Sequence, residues 1–256
     1  MSAHKPPVAA KKAHTVTSPH GDREDPYYWL RDDPRQNEEM LGYLRAENAW
    51  FERHMAPSAA LVEELYTEIV GRIKQADSTV PYFDRGYFYS TRFEEGKEYP
   101  IHVRRKGSLD AAEEILLDGN VLAAGHDFFQ IANNEVSDDG RLLAYLTDTV
   151  GRRQFELRVR DLETGLDHPE VVGGLSSSLA WAADSRTLFY VENDVETLLS
   201  TRVKRRAVGT DTSADVLVYQ EPDPSFYLGV ARTGDHAYVN RWLTYRITRL
   251  ISVVTL

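Results

Sequence analysis

The strongest constraint on the fold is a repeated strand–turn–strand unit with a period of about 45 residues. Residues 136–165 contain a turn, a strand, a turn, a strand and a closing turn, and residues 179–194 repeat the first half of that order. Asp184 occupies the position of Asp139 in the second copy. A period of this length with three or four short strands per copy is typical of a β-propeller blade. An antiparallel β-sandwich with regular hairpins is the alternative.

The residues within each unit show how its strands are buried. Residues 142–147 are apolar at nearly every position, which predicts a strand buried on both faces. In residues 155–160 apolar and charged side chains alternate, which predicts a strand with one solvated face. Asp138, Asp139 and Gly140 form a tight-turn signal between the strands.

Weaker copies extend the repeat in both directions. Residues 84–107 contain the same two strands. In residues 230–240, Tyr238 aligns with Tyr190, about 48 positions earlier. In the second copy, Tyr190 aligns with Tyr145. Further strands are predicted at 87–93, 99–103, 115–117, 188–192, 199–206 and 215–219, with new blades beginning near 128 and 225.

Helices are predicted before the strands. The first helix is predicted to begin with Asp33 as N-cap and Pro34 at the first helical position, with Gln36 completing a capping-box-like pattern. Pro57 is predicted to end it. A second helix follows at about 58–75. It carries a stripe of apolar residues at i+4 spacing that requires another apolar surface to cover it: Leu61, Leu65, Ile69 and Ile73.

The chain therefore divides into four predicted segments. Residues 1–20 form a flexible arm, 21–78 a helical segment, 79–239 about three and a half blades, and 240–256 an atypical tail. The aromatic run at 27–29 is expected to pack against a surface. The tail contains no Gly, Pro, Asp or Glu, although a blade would need a turn near 241. We therefore expect a truncated or frameshifted reading frame there.

Composition limits the classes of partner. The 256 residues are 42% hydrophobic and 27% charged, as in ordinary globular proteins. A net charge of −10 argues against nucleic acid and anionic membranes as partners. The sequence contains no Cys, no apolar run long enough for a membrane span and no apolar core of a secretory signal. A cytoplasmic location is the resulting expectation.

Motifs that carry chemistry are absent. The sequence contains no Gly-x-Ser-x-Gly, His-Glu-x-x-His, phosphate loop or dinucleotide fingerprint. Residues 173–176 come closest to the first, but we interpret them as a loop between blades. The adjacent pair His126 and Asp127 is best explained by a local hydrogen bond in a turn.

The charged clusters have structural interpretations. Residues 104–106 and 204–206 are basic and are interpreted as solvated strand edges. Asp138, Asp139 and Asp184 are interpreted as turn residues. The sequence thus predicts no catalytic residue, no cofactor-binding residue, no metal ligand and no cofactor.

Many separate segments resemble the N-terminal region of the oligopeptidase B branch of the prolyl oligopeptidase family of serine peptidases. The match runs from about Ser18 to about Gly229, in the same order and with similar spacing. Its segments are DPYYWLRDD (25–33), YLRAENAW (43–50), VGRIKQADSTVPY (70–82), RFEEGKEYPIHVRRKG (92–107), LLDGNVLAAGHDFFQI (116–131), DTVGRRQFELRVRDLETG (148–165), LAWAADSRTLFYVENDVETLL (179–199) and VKRRAVGTD (203–211).

This resemblance implies a mainly β fold: a partial seven-bladed β-propeller preceded by a helical hairpin. In the family the propeller covers an α/β-hydrolase catalytic domain, onto which the helical segment packs. The propeller admits short peptides, and members of this branch cleave after Arg or Lys. The Ser, Asp and His of the triad lie C-terminal to the propeller, so no position of this sequence corresponds to them.

Two functions follow as expectations. The chain is the helical and substrate-gating part of an oligopeptidase-B-like serine endopeptidase, and it is inactive without the nucleophile. Its partners would be short basic peptides, the other half of the propeller and the catalytic domain. The alternative is a non-catalytic, propeller-like protein-interaction module, although half a propeller leaves open sheet edges that favour aggregation.

Overall fold

A computed structural model describes residues 5–32, 34–245 and 248–254, in two compact units. The first unit is Met1–Lys74 and the second is Gln75–Leu256, so the division lies close to the predicted boundary between 78 and 79. The fold is mainly β, with two helices in the first unit and four successive groups of strands in the second.

The first unit contains both predicted helices. They are α1, Glu38–Met55, and α2, Ala59–Gly71, joined by the single 3-10 turn Ala56–Ser58. The predicted start of α1 at Pro34 is wrong. Asn37 is the N-cap, because its side chain accepts hydrogen bonds from the amides of Glu39 and Met40 at 3.0 and 3.2 Å. The predicted cap, Asp33, lies outside the described residues.

The aromatic run before α1 packs on the N-terminal arm. Short strands β1, Thr15–Val16, and β2, Arg23–Glu24, pair antiparallel. The Trp29 indole donates to the carbonyl of Ala10 at 2.8 Å, with the Lys12 ammonium 4.7 Å from the centre of its ring. The Tyr28 ring stacks on His14 at 3.9 Å between centroids. The predicted arm, residues 1–20, is therefore tied down from Ala10 onward, and the predicted packing of the aromatic run is present.

The apolar stripe of α2 is exposed. None of the residues of α2 is buried, and Leu61, Leu65 and Ile69 expose 55%, 45% and 59% of their area. A helix whose large apolar side chains remain in solvent gains little from burial, so this surface is typical of a docking face.

The second unit begins with a four-stranded antiparallel sheet, blade one. Its strands are β3, Tyr82–Asp84; β4, Tyr87–Arg92; β5, Ile101–Lys106; and β6, Glu113–Asp118. The four-residue helix α3, Gly119–Leu122, follows within the predicted connection. The order in the sheet follows the chain, as in a meander of hairpins.

Seven further strands form one continuous antiparallel sheet that holds blades two and three. They are β7, Gln130–Val136; β8, Leu142–Asp148; β9, Phe155–Asp161; β10, Val172–Trp181; β11, Thr187–Asn193; β12, Ser200–Ala207; and β13, Val216–Gln220. The long strand β10 joins the two blades. Its first part pairs with β9 and its second part with β11, with register shifts in between.

Blade four has three described strands: β14, Tyr227–Arg232; β15, Val239–Tyr245; and β16, Thr248–Val254. The sequence carries no turn signal near residue 241, and the chain makes no turn there: Arg241 lies within β15 and pairs with Val230 of β14. The predicted boundary between 239 and 240 thus falls inside a strand. Gly229 has a packing role there, since a Cβ at this position would lie 2.1 Å from the Trp242 ring.

The apolar core lies between the blades. One cluster joins β4 and β6 to β8, a second joins β8 and β9 to β10 and β11, and a third joins β10, β11 and β12 to β14 and β15. Strands β8, β10 and β11 each contribute to two clusters. Leu143 and Tyr145 face blade one while Ala144 and Leu146 face blade three, all at most 1% exposed. The predicted strand buried on both faces is confirmed.

The repeat is visible in the turn after the first strand of blades two, three and four. Asp139, Asp184 and Asp235 each accept a hydrogen bond from the amide two residues on, at 3.1, 2.9 and 3.1 Å. Each is followed by a residue with positive φ: Gly140 at 73°, Ser185 at 56° and His236 at 60°.

These turns correct one detail of the predicted repeat. The amide-to-carbonyl bond that closes the turn runs from Ala182 to Thr187 in blade three and from Thr233 to Tyr238 in blade four. Tyr238 therefore corresponds to Thr187 and not to Tyr190. The turn has the same length in both blades, so the additional residues lie between the two turns. The acidic turn and not the aromatic residue keeps the register of the repeat.

Truncating one side chain between the blades tests this core. We expect Leu146→Ala to lower the free energy of unfolding by about 2–5 kcal/mol, because Leu146 is fully buried between blades two and three. Leu166→Ala is the matched control, since Leu166 is 70% exposed. Urea unfolding followed by tryptophan fluorescence measures both. Equal effects of the two changes would contradict a core between blades.

Candidate functional site

A cleft lies where the first strands of three blades approach one another. This inner cleft has a volume of about 460 Å³. Its walls are residues 82–89 of blade one, 133–136 of β7 and 231–236 at the end of β14. Ligands of proteins usually bind in concave sites of this size where several elements meet. The inner cleft is therefore the candidate functional site.

One carboxylate links the three blades at this cleft. Asp138, in the turn after β7, accepts hydrogen bonds from Arg85 of blade one and from Arg232 of β14. The contact of Arg232 Nη2 with Asp138 Oδ2 is 2.6 Å. Arg85 also donates to Asp84 at 2.7 and 2.9 Å. We call these four residues the Asp138 ion cluster.

Local backbone geometry positions the cluster. Arg85 and Gly86 both have positive φ, 44° and 86°, as in the two-residue turn that joins β3 to β4. This turn directs Arg85 toward blade two. Arg232 is anchored by its own turn, because its guanidinium donates to the carbonyl of His236 at 2.8 Å. The arginines are thus held by their turns before they meet Asp138.

The charges of the cluster act on the pKa of Asp138. Burial alone would raise the pKa of this carboxyl, but the hydrogen bond and charge of Arg232, helped by Arg85 and His236, lower it below its ordinary value. Asp138 is therefore ionised at neutral pH, and the cluster is a charged bridge between blades.

The pKa of the Glu135 carboxyl, in β7, is shifted in the opposite direction from that of Asp138. Burial raises the pKa of its carboxyl to about 7, although the charges of Arg232 and Arg85 oppose that rise. The Glu135 carbonyl accepts a hydrogen bond from the Trp181 indole at 2.8 Å, which fixes β7 against β10. The cleft thus holds a carboxyl group that changes charge near neutral pH.

Aromatic and imidazole groups complete the walls. Tyr82 stacks on Tyr89, with ring centroids 5.4 Å apart, and 63% of Tyr82 is exposed. Burial raises the pKa of both phenols, so they are neutral hydrogen-bonding groups. His236 Nε2 lies 3.9 Å from Asp84 Oδ1, which connects the end of β14 with blade one.

Two tyrosines singled out by the repeat have structural partners away from the cleft. Tyr145 donates to Asp167, and Tyr190 donates to Asp215, both at 2.6 Å. An arginine accompanies each pair. Arg160 binds Asp167 at 2.7 Å, and Arg206 lies 3.8 Å from Asp215. One of these clusters lies in blade two and the other in blade three, and each ties the second strand of its blade to the connection after the third strand.

The residues that most resembled catalytic motifs are structural. The loop predicted at 173–176 is wrong, because these residues belong to β10 and Leu175 is fully buried. A local turn hydrogen bond is present at His126, whose backbone amide donates to the carbonyl of Ala123 at 3.1 Å. The His126 ring lies beside Phe129, at 6.2 Å between centroids.

The interpretation of the basic clusters as solvated edges is wrong at two positions. Arg104 and Arg206 are only 5% and 4% exposed, because β5 and β12 are interior strands. Arg104 donates to Glu114 at 2.7 Å and to the carbonyl of Gly140 at 2.9 Å, which joins blades one and two. Buried arginines require such partners. Of the acidic residues, Asp139 and Asp184 are turn residues as predicted, whereas Asp138 bridges blades.

Over the described ranges, no group of three or more His, Cys, Asp or Glu side chains is arranged to hold a metal ion. None of the helices in the same ranges has both the length and the apolar composition for a membrane crossing.

Comparison with protein families gives a match over most of the chain. The model of the prolyl oligopeptidase N-terminal beta-propeller domain matches residues 7–241. Dipeptidyl aminopeptidase BI of Pseudoxanthomonas mexicana is 50% identical over 250 residues, covering 91% of this chain and 35% of that protein. Protease 2 of Moraxella lacunata is 30% identical over 258 residues, covering 98% and 37%.

Solved structures of peptidases are also similar to this chain. Oligopeptidase B from Leishmania major has a TM-score of 0.91 at 29% identity, covering 98% of this chain and 38% of that one. Oligopeptidase B from Trypanosoma brucei, in a closed form with covalently bound antipain, has a TM-score of 0.87 at 27% identity, covering 98% and 37%. The chain spans little more than a third of the length of the curated relatives it matches.

Removing the bridging charge tests the Asp138 ion cluster. We expect Asp138→Asn to lower the free energy of unfolding at pH 7 by about 1–2 kcal/mol, since two arginines lose their shared carboxylate, which is partly solvated. The pKa of Asp138 is lowered by folding. Its contribution is therefore present above its unfolded pKa and is lost as the pH falls through its folded pKa.

Urea unfolding across a range of pH measures this dependence. The control is Glu163→Gln, because Glu163 forms only an exposed contact with Arg141 at 3.6 Å. A difference between Asp138→Asn and the parent chain that stays constant down to acid pH would contradict the assignment.

Proposed function

Because the chain belongs to the prolyl oligopeptidase family through its N-terminal β-propeller domain, we propose that it is the helical and substrate-gating part of a serine peptidase. The match over residues 7–241, in which the blades follow one another as in the relatives, carries this proposal. The inner cleft would lie on the route of the peptide, and hydrolysis would take place on a catalytic domain that the relatives carry in the rest of their length.

For the intact protein we propose hydrolysis of short peptides after Arg or Lys, as in an oligopeptidase-B-like endopeptidase. The likeness to oligopeptidase B structures at 29% and 27% identity supports this specificity. A second activity, release of dipeptides from a free amino terminus, is favoured by the 50% identity with dipeptidyl aminopeptidase BI. Substrates with blocked and free amino termini separate the two.

The exposed apolar face of α2 supports the proposal that the chain binds a catalytic domain. Leu65 and Ile69 are 45% and 59% exposed and lie on one stripe of the helix. We propose that this stripe docks on the catalytic domain, where burial of the area still exposed would stabilise each side chain by about 1 kcal/mol. A stand-alone interaction module remains the alternative function, and specific binding of a protein without any hydrolase part would support it.

The cytoplasmic location expected from the sequence stays a prediction, to be tested by cell fractionation.

The isolated chain should have no peptidase activity. The sequence contains no nucleophile elbow, and the triad mechanism needs Ser, His and Asp within hydrogen-bond reach. Incubation of the purified chain with an N-blocked Arg-Arg fluorogenic amide and with a free-amine Gly-Arg amide measures this directly. Turnover that a serine-reactive phosphonate abolishes would contradict the proposal.

Complementation tests the positive side of the proposal. We expect co-expression with the remaining part of dipeptidyl aminopeptidase BI to restore hydrolysis. Changing α2 with Leu65→Glu and Ile69→Glu should reduce recovered activity at least about tenfold, because two charges would be placed in an apolar contact. Glu64→Gln on the same helix is the control. Full activity of the double variant would exclude this stripe as the docking face.

A further inference from the structure

Glu135 differs from the other carboxylates of the inner cleft because it lacks a cation. Asp84 is paired with Arg85, and Asp138 is paired with both Arg85 and Arg232. Within the described residues, no side chain forms a hydrogen bond or ion pair with the carboxylate of Glu135. Both guanidinium groups of the cleft are therefore engaged by other acids.

This arrangement leaves one negative charge available to a ligand. Three carboxylates face two guanidinium groups around the cleft, so one unit of positive charge is missing when all three acids are ionised. A half-buried carboxylate without a partner is costly, and a cation that reaches it relieves this cost. The cleft is thus electrostatically suited to a cationic group.

The wall beside Glu135 offers a second recognition element. Tyr82 rests on Tyr89 and leaves 63% of its surface exposed. An aromatic face attracts guanidinium and ammonium groups by about 0.5–2 kcal/mol, depending on solvation. The cleft volume of about 460 Å³ is sufficient for a side chain and its flanking peptide units.

We propose that the inner cleft binds a peptide through a positively charged group held by the carboxylate of Glu135 and the ring of Tyr82. The group is a guanidinium or an ammonium, from a basic side chain or a free amino terminus. This inference deepens the proposed function and rests on it in one respect, namely that peptides reach the cleft. It assigns the cleft a selective role before hydrolysis.

The titration of Glu135 gives the proposal a pH signature. The charged or titratable groups around it lie on three blades: Tyr82, Asp84, Arg85 and Tyr89 of blade one, Asp138 after β7, and Arg232 and His236 at the end of β14. With a pKa of about 7, Glu135 is about one-tenth ionised at pH 6 and nine-tenths at pH 8. A ligand that binds only the ionised form then binds about tenfold tighter at pH 8.

The experiment uses the full 256-residue chain and isothermal titration calorimetry. The three probes are tripeptides whose C-terminal carboxylate is replaced by an amide. N-acetyl-Gly-Arg-Gly-amide supplies a guanidinium, its citrulline analogue is the uncharged control, and Gly-Gly-Gly-amide supplies only an amino-terminal ammonium. We expect one of the two cationic probes to bind more tightly at pH 8 than at pH 6, while the citrulline probe does not bind. The expected ratio is about tenfold for the Arg probe and about three- to fivefold for the ammonium probe, because an amino terminus with a pKa of about 8 is partly deprotonated at pH 8. Which cationic probe binds identifies the source of the charge.

Variants assign the effect to Glu135. Glu135→Gln should weaken binding at least about tenfold at pH 8 and remove the pH dependence, whereas Glu163→Gln should leave both unchanged. His236→Asn should preserve the dependence, which separates Glu135 from the imidazole. If Glu135→Gln does not fold by circular dichroism, Glu135→Asp replaces it and should retain a pH-dependent but weaker affinity.

Several results would overturn the inference. They are equal binding of the citrulline and Arg probes, unchanged affinity in Glu135→Gln, loss of the pH dependence in His236→Asn, or no binding of either cationic probe. These results leave the complementation assay unaffected, because binding is measured without hydrolysis. Failure of complementation together with Glu135-dependent binding would instead reject the proposed function and retain the cleft as a cation site.

Discussion

Apolar contact between neighbouring blades is the interaction on which the rest of the fold depends. The apolar clusters of this chain each join side chains from neighbouring blades, so a single four-stranded sheet shares its core with the adjacent blade. Strands β8 and β11 are buried on both faces for this reason. The stability of each blade therefore depends on its contacts with the neighbouring blades, as in other repeat proteins.

The inner cleft follows from this packing. Stacked blades bring the ends of β3, β7 and β14 together, and each end carries charged residues on a tight turn. Asp138 satisfies two arginines from different blades, while Glu135 remains without a partner. The same geometry thus produces a structural ion cluster and, beside it, a carboxyl group with unused binding capacity.

The sequence predicted the elements well because strand pairing is local. The double burial of residues 142–147 and the acidic turns at Asp139 and Asp184 follow from side-chain period and turn chemistry, both of which act over a few residues. The two helices were also predicted, although the start of α1 was wrong because Asn37, and not the earlier capping pattern, receives the amides of the first turn.

The site was not predicted, for a physical reason. Asp138 and Arg232 are 94 positions apart, and nothing in the turn around Asp138 differs from an ordinary turn. Arg104 and Arg206 were interpreted as solvated because their burial depends on strands that cover them from other parts of the chain. The resemblance to a peptidase family indicated the propeller, but pairings across the cleft required the blades to be placed in space.

Hydrogen–deuterium exchange of the full chain tests the packing between blades most directly. Strands β8, β11 and β12 are all interior strands with hydrogen bonds on both edges, but β8 and β11 contribute to two apolar clusters and β12 to one. If packing between blades determines local stability, amides of β8 and β11 will exchange more slowly than those of β12. Equal protection of all three strands would contradict this explanation, because hydrogen bonding within each sheet would then be sufficient.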